Sequence, residues 1–127
     1  MAGSHHKLAM QGIWSYFVRV SAWVSQIRKG VLELAVLGLL AGEPRYGSQL
    51  VDDLGEYEAL AITAGTVYPL LSRLKKAGLI DSVWRESPVG PPRKYYSLTD
   101  VGREVLAEMT GTWRAVDAAI TNIVEQT

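Results

Sequence analysis

Residues 63–78, TAGTVYPLLSRLKKAG, decide the fold, because a single helix through them has two unlike sides. Thr63 is a residue type that caps helix N-termini, and Gly78 is one that stops them. Between them the spacing predicts a helix over about Ala64–Ala77. Val67, Leu70, Leu71, Leu74 and Ala77 fall on one stripe of it, as a core-facing helix requires. Gly65, Tyr68, Pro69, Ser72, Arg73 and Lys76 fall on the other side, which is small, polar and basic. Pro69 removes a backbone hydrogen bond and would cost about 3 kcal/mol in an isolated helix. Its place in this string predicts a tolerated bend rather than a break.

Working outward, Val31–Ala41 reads as a buried helix ended by Gly42-Glu43-Pro44. Gly42 is expected to take the left-handed conformation that follows many helices, and Pro44 blocks continuation. A short helix is expected over Tyr46–Leu54, with Tyr46, Leu50, Val51 and Leu54 on one face and Gly55 closing it. On the other side of 63–78, Leu79–Trp84 and Lys94–Leu98 are rich in β-formers. They flank RESPVGPPR, Arg85–Arg93, whose prolines and glycine exclude regular structure, so a hairpin with a long stiff tip is predicted. Thr99 then caps a last helix. Its Leu106, Met109, Trp113, Val116, Ile120 and Ile123 repeat as a heptad seam.

The first ten residues, MAGSHHKLAM, look partly vector-derived, since Gly-Ser-His-His resembles a shortened purification tag. Beyond them Ile13, Phe17, Val20, Val24, Ile27, Val31 and Leu34 follow alternating spacings of four and three, again one helical stripe. Trp14 and Trp23 lie off it, and Arg19, Arg28 and Lys29 are the charges of 11–30. Such a helix can pack on a dimer partner, brush a phosphate backbone or lie on a membrane surface. Packing is the expected use and membrane contact the disfavoured one. The expected organisation is therefore 1–10 remnant, 11–30 amphipathic extension, 31–98 DNA-binding domain and 99–127 dimerisation helix. The fold class is mainly α with a small β-hairpin (α+β), a winged helix-turn-helix plus one C-terminal helix.

Bulk composition narrows the function classes. A chain of 127 residues, 48% apolar, is long enough for one core. It has no cysteine, which removes disulfides, thiolate metal sites and a Cys nucleophile, and fits a cytoplasmic location. No stretch reaches the roughly 18–20 apolar residues of a membrane span. The net charge is zero, but basic and acidic residues number four and none over 1–32, then one and six over 33–62. Over 63–97 they number six and two, and over 98–127 two and five. A neutral total thus contains a basic block where the hairpin and the 63–78 helix lie, and local charge is what nucleic acid responds to.

Two short helices, a tight joint and a hairpin form a module whose second helix can enter a major groove. Base edges would then be approached by Thr63, Ala64, Gly65, Thr66, Tyr68 and Ser72, with Arg73 and Lys76 further along. Free backbone N–H groups at that helix's start favour a phosphate. Tyr46, and Arg85, Arg93 and Lys94 at the hairpin tip, suit phosphate or minor-groove contact. Tyr68 has two open roles, offering its hydroxyl to a phosphate or propping the wing. Each cation alone could simply solvate a surface; their shared face gives them weight.

Leu37-Gly38-Leu39-Leu40, Tyr46-Gly47, Gly65-Thr66-Val67-Tyr68-Pro69, Leu74 and Gly78-Leu79-Ile80 resemble the PadR family of transcriptional regulators. So do Pro92-Arg93-Lys94-Tyr95-Tyr96, Leu98-Thr99 and Gly102. The resemblance covers about Lys29–Ile123. It implies a homodimer on a pseudo-palindromic double-stranded operator, with repression relieved by a small molecule. The single C-terminal helix is similar to the smaller subfamily that includes a multidrug-sensing regulator of lactic acid bacteria. In that relative a tryptophan on this helix sandwiches flat aromatic drugs at the dimer interface. Trp113-Arg114-Ala115-Val116-Asp117 matches its position, which makes Trp113, Met109, Val116 and Asp117 candidate ligand contacts. The seam residues Leu106, Met109, Trp113, Val116, Ile120 and Ile123 are equally candidates for plain dimer core. The aromatic extension departs from the short relatives, and folded over the interface it would reshape that pore.

Catalysis has little to stand on. His5 and His6 both lie in the tag-like segment, and Val89-Gly90-Pro91-Pro92 lacks the N–H donors of a phosphate loop. Adjacent Asp52 and Asp53 on a helix point about 100° apart and do not converge on a metal. No catalytic residue, metal or cofactor is expected. The rival reading is a winged helix that docks on another protein without binding DNA.

Overall fold

The structure, a computed structural model, describes the backbone of residues 2–126 and the side chains of all these except residues 2–11, 16 and 17. The tag-like segment and Phe17 of the N-terminal stripe therefore lie outside the described side chains. The chain divides into two units, Met1–Val31 and Leu32–Thr127. The elements are α1 (Ala2–Gly42), β1 (Arg45–Tyr46), α2 (Gly47–Gly55), α3 (Ala64–Lys76), β2 (Ile80–Arg85), β3 (Arg93–Leu98) and α4 (Asp100–Glu125). A 3₁₀ turn at Glu58–Leu60 lies between α2 and α3. The chain is mainly helical with a small antiparallel sheet, as expected.

The second unit has one core. Leu32, Val36, Leu37 and Leu40 of α1 meet Leu50 and Leu54 of α2, and Val67, Leu70, Leu71 and Leu74 of α3. Ile80, Tyr96 and Leu98 close it from the sheet. Helical spacing puts each set on one side of its helix; α3 leaves its other side to solvent, whereas α1 over residues 31–41 is buried or half-buried at every position but Gly38. Pro69 sits inside an unbroken α3.

The hairpin gains a third strand. Tyr46 is not in the second helix but in β1, which pairs antiparallel with β3 through Arg45↔Tyr96 and Tyr46↔Tyr95, giving the order β1-β3-β2. Arg45 then joins three elements. Its Nε donates to the carbonyl oxygen of Leu39 at 3.0 Å, and its Nη1 pairs with Asp53 Oδ2 at 2.7 Å. Leu39 is in the last turn of α1, where carbonyls have no helical partner, so the guanidinium supplies one. Gly42 consequently ends α1 without the left-handed turn expected of it; positive φ occurs at Gly78 (77°) and Gly90 (116°).

The junction of α3, β2 and α4 is held by Thr99. Its hydroxyl donates to the Gly78 carbonyl at 2.7 Å and accepts from the Gly102 N–H at 3.0 Å, capping α4. Thr63 occupies the N-cap position of α3, but its side chain makes no cap bond; its carbonyl accepts from Thr66 and Val67. Beyond Thr110, α4 is exposed on every side through Gln126.

Candidate nucleic-acid interface

The buried stripe of α3 fixes what the opposite side presents. Thr63, Ala64, Gly65, Thr66, Tyr68, Ser72, Arg73 and Lys76 are all exposed. By the helical repeat, Gly65, Pro69, Ser72 and Lys76 form the outermost row, with Tyr68 and Arg73 on its two flanks. Arg73 and Lys76 are in the last turn of α3, about 15 Å from its start, where cations also complement the helix dipole. Arg73 lies 3.7 Å from Glu33 of α1, and Lys75 donates to Ser82 of β2 at 2.7 Å. The N-terminal cluster and the two C-terminal cations are therefore one face but not one spot.

Strand register explains the wing. Residues paired across an antiparallel ladder share a face, and alternate residues along a strand share it too. One face carries Ile80 and Leu98, then Ser82 and Tyr96, then Trp84 and Lys94 outward. The other carries Tyr46, Tyr95 and Val83, then Arg85 opposite Arg93. Arg85 and Arg93 thus belong to the strands, not to the tip, and the tip carries Glu86 as its charge. The cationic part of the wing is its stem.

Those cations rest on rings. The Arg93 guanidinium is 4.3 Å from the Tyr46 ring centre, and that of Arg85 is 4.7 Å from Tyr95. The two tyrosines meet edge to face at 5.4 Å, so Arg85, Tyr95, Tyr46 and Arg93 form one stack that spaces the like charges. On the other face the Lys94 ammonium lies 5.9 Å from the Trp84 ring centre and 5.8 Å from that of Tyr96. Burial raises the pKa of the Tyr96 phenol, with Tyr68 adding to it.

Between wing stem and helices is an open cleft of about 440 Å³, bordered by Tyr46, Gly47, Ser48, Tyr68, Trp84, Pro92, Arg93, Lys94 and Tyr96. Tyr68 lies directly over Gly47: a Cβ there would be 2.5 Å from Tyr68 Cε1. Tyr46, Tyr68, Arg93 and Lys94 are thereby brought together, while Arg73, Lys76 and Arg85 do not border this cleft. Ser48 and Trp84 join the site, and neither stands out in the sequence. The cross-strand pairing of Trp84 with Lys94 is the available signal, and it needs the hairpin register to be read.

The other candidate residues lie on α4. Leu106 and Met109 are partly buried against their own core. Trp113, Val116, Asp117, Ile120 and Ile123 are exposed, with Trp113 at 44% and Ile123 at 60%. Asp117 is within 3.5 Å of the Thr121 hydroxyl on the same helix. Among the described residues, no helix is long and apolar enough to cross a membrane.

Three helices, a two-stranded wing braced by a third short strand, and one exposed side on the third helix, α3, define a winged helix-turn-helix protein. The transcriptional regulator PadR-like family model matches residues 36–108, and the chain belongs to that family of regulators, not to an enzyme family. A PadR-like transcriptional regulator of Bacillus cereus is 37% identical, with 78% of this chain and 96% of that one covered, at a TM-score of 0.72. A PadR family regulator of Eggerthella lenta is 37% identical over 89% and 98% of the two chains, at 0.74. A PadR-like transcription factor of Bacteroides fragilis is 43% identical over 78% and 95%, at 0.67.

Proposed function

We propose that this regulator is a homodimeric, cytoplasmic repressor that reads a pseudo-palindromic operator with α3 and releases it when a planar aromatic molecule binds at the α4 seam. The observation that carries the reading is the two-sidedness of α3. Val67, Leu70, Leu71 and Leu74 are buried, while Ala64, Gly65, Thr66, Tyr68 and Ser72 are exposed, and most are small enough for close approach to bases. In this reading Thr63, Thr66 and Ser72 contact base edges and sugar-phosphate. Tyr68, Arg93 and Lys94, with Tyr46 beneath, hold the backbone phosphate that lies along the cleft. Arg73, Lys76 and Arg85 reach flanking phosphates. Homodimerisation is supported by α4, whose outer turns carry an exposed apolar seam that an isolated helix would not retain in water.

The test is anisotropy of labelled promoter DNA against salt concentration. Binding weakens with salt, and Arg93→Ala with Lys94→Ala makes the slope shallower by about 0.9 for each phosphate no longer neutralised. An unchanged slope removes the wing from the mechanism, and absence of any DNA binding favours the protein-docking alternative. For the effector, Trp113 emission is followed during titration with flat aromatic cations. Loss of the response and of affinity in Trp113→Ala supports the pore site, and retained affinity refutes it.

A further inference from the structure

Ile80, Tyr96 and Leu98 point one face of the sheet at the core, so the alternate residues Tyr46, Val83 and Tyr95 lie on the face turned away from it. None of these three belongs to the core cluster, and Val83 is 55% exposed. Two half-buried tyrosines thus stand side by side on an outer surface. Packing of the core does not explain them.

Their cationic neighbours do. Arg85 and Arg93 are direct partners across the β2–β3 ladder, a position at which two like charges destabilise each other. Both are exposed, yet neither side chain is left loose. Arg85 reaches diagonally over β3 to the Tyr95 ring, 4.7 Å from its centre. Arg93 reaches diagonally over β1 to the Tyr46 ring, 4.3 Å from its centre. The sheet order β1-β3-β2 makes these two reaches parallel, each one strand across in the same direction. A common shift preserves the separation of the charges, and the rings that seat them are 5.4 Å apart. Tyr95 is central to this arrangement, since it lies under Arg85 and also meets the edge or face of the Tyr46 ring.

We infer that Tyr95 is a positioning residue for DNA binding. Its ring carries Arg85 and steadies the Tyr46 seat of Arg93, so the wing stem meets DNA with two oriented cations, each on its own phosphate. An arginine already held in place loses less freedom when it binds. The two-residue strand β1 gains a purpose as well, because its pairing with β3 is what brings Tyr46 beside Tyr95. This inference rests on the DNA-binding reading and deepens it, by naming a residue that acts through two others.

The test is anisotropy of labelled promoter DNA against salt, with urea unfolding of each variant beside it. The variants are Tyr95→Phe, Tyr95→Ile, Arg85→Ala and the Tyr95→Ile, Arg85→Ala pair, all in the full chain. Tyr95→Phe keeps the ring and is expected to bind as the native chain does. Tyr95→Ile keeps a residue suited to a strand but removes the ring. It is expected to weaken binding about fivefold to tenfold, with little change in the urea midpoint. Its salt slope becomes shallower by about 0.9 for each phosphate no longer neutralised. Made on top of Arg85→Ala, it costs less than it does alone, as residues that act through one another do.

Equal losses in Tyr95→Phe and Tyr95→Ile overturn the inference, because the hydroxyl would then be the contact. Full additivity with Arg85→Ala overturns it too. So does a loss of affinity that follows a lowered urea midpoint at unchanged slope, since the ring would then serve the fold alone. Native-like binding by Tyr95→Ile overturns it and leaves the DNA-binding reading intact. Absence of DNA binding by the native chain overturns that reading, and the inference with it.

Discussion

Gly47 and Gly102 both lie buried in the first turn of a helix, yet a methyl group added to each meets different matter. At Gly47 it meets the Tyr68 ring, the far end of a half-exposed side chain that can swing away. Gly47→Ala is therefore expected to change stability by less than about 1 kcal/mol, helped by the better helix propensity of alanine, while DNA affinity falls as Tyr68 leaves the cleft. At Gly102 the methyl meets the backbone carbonyl of Leu79, which cannot move without α4 or β2 moving. Gly102→Ala is expected to cost about 1–3 kcal/mol or more. Urea unfolding and DNA anisotropy on both variants separate the two effects. Neither close approach is legible in the sequence, because both join residues twenty or more positions apart and leave no periodic trace. The role of Arg45 is hidden for another reason: its partners Leu39 and Asp53 are only six and eight positions away, but on different elements and without helical spacing, so it reads in sequence as a surface charge after a proline.

Elements are legible where a helix buries one stripe and carries its own stop signals. The α3 stripe, Gly78 and the Thr99 cap all lie within a few residues of the structure they specify. The two-residue strand β1 is not legible, since its only reason to be extended is β3, some fifty residues later. Gly42 misleads because Arg45 occupies a terminal carbonyl of α1 that a left-handed turn would otherwise have served. The wing's existence can be read from its prolines and β-formers but its register cannot, which moves Arg85 and Arg93 from tip to stem. Pro69 is a prediction at this scale. It lies on the exposed side of α3 and withholds one i to i−4 hydrogen bond. Pro69→Ala is expected to raise stability by about 1–3 kcal/mol, since little packing is sacrificed there. A chemical denaturation midpoint that falls instead would show the proline to be fitted to its neighbours.

The whole molecule is a winged module with apolar helical surface left over. Trp113, Ile120 and Ile123 on α4, and Ile13, Val24 and Ile27 on α1, are more than singly scattered exposed residues. If a second copy covers them, folding and association are one equilibrium. The thermal midpoint then rises with protein concentration, and dilution over a hundredfold range lowers it measurably. A concentration-independent midpoint, with the same sedimentation at every dilution, would mean that these seams do not hold subunits together. Composition alone places the chain among neutral globular domains, and only the order of its charge blocks and stripes points to a regulator.

The Thr99 hydroxyl gives this arrangement a mechanical property. One oxygen is tied both to the glycine that ends the rod with the exposed polar side, α3, and to the first turn of the α4 rod. Tilting one rod must either carry the other with it or stretch at least one of these two bonds. The joint behaves as a pinned crank: a tilt at the start of α4 reaches the end of α3 through this hydroxyl, alongside the Thr99 N–H bond to the Leu79 carbonyl and the packing of Leu106 and Met109 on the core.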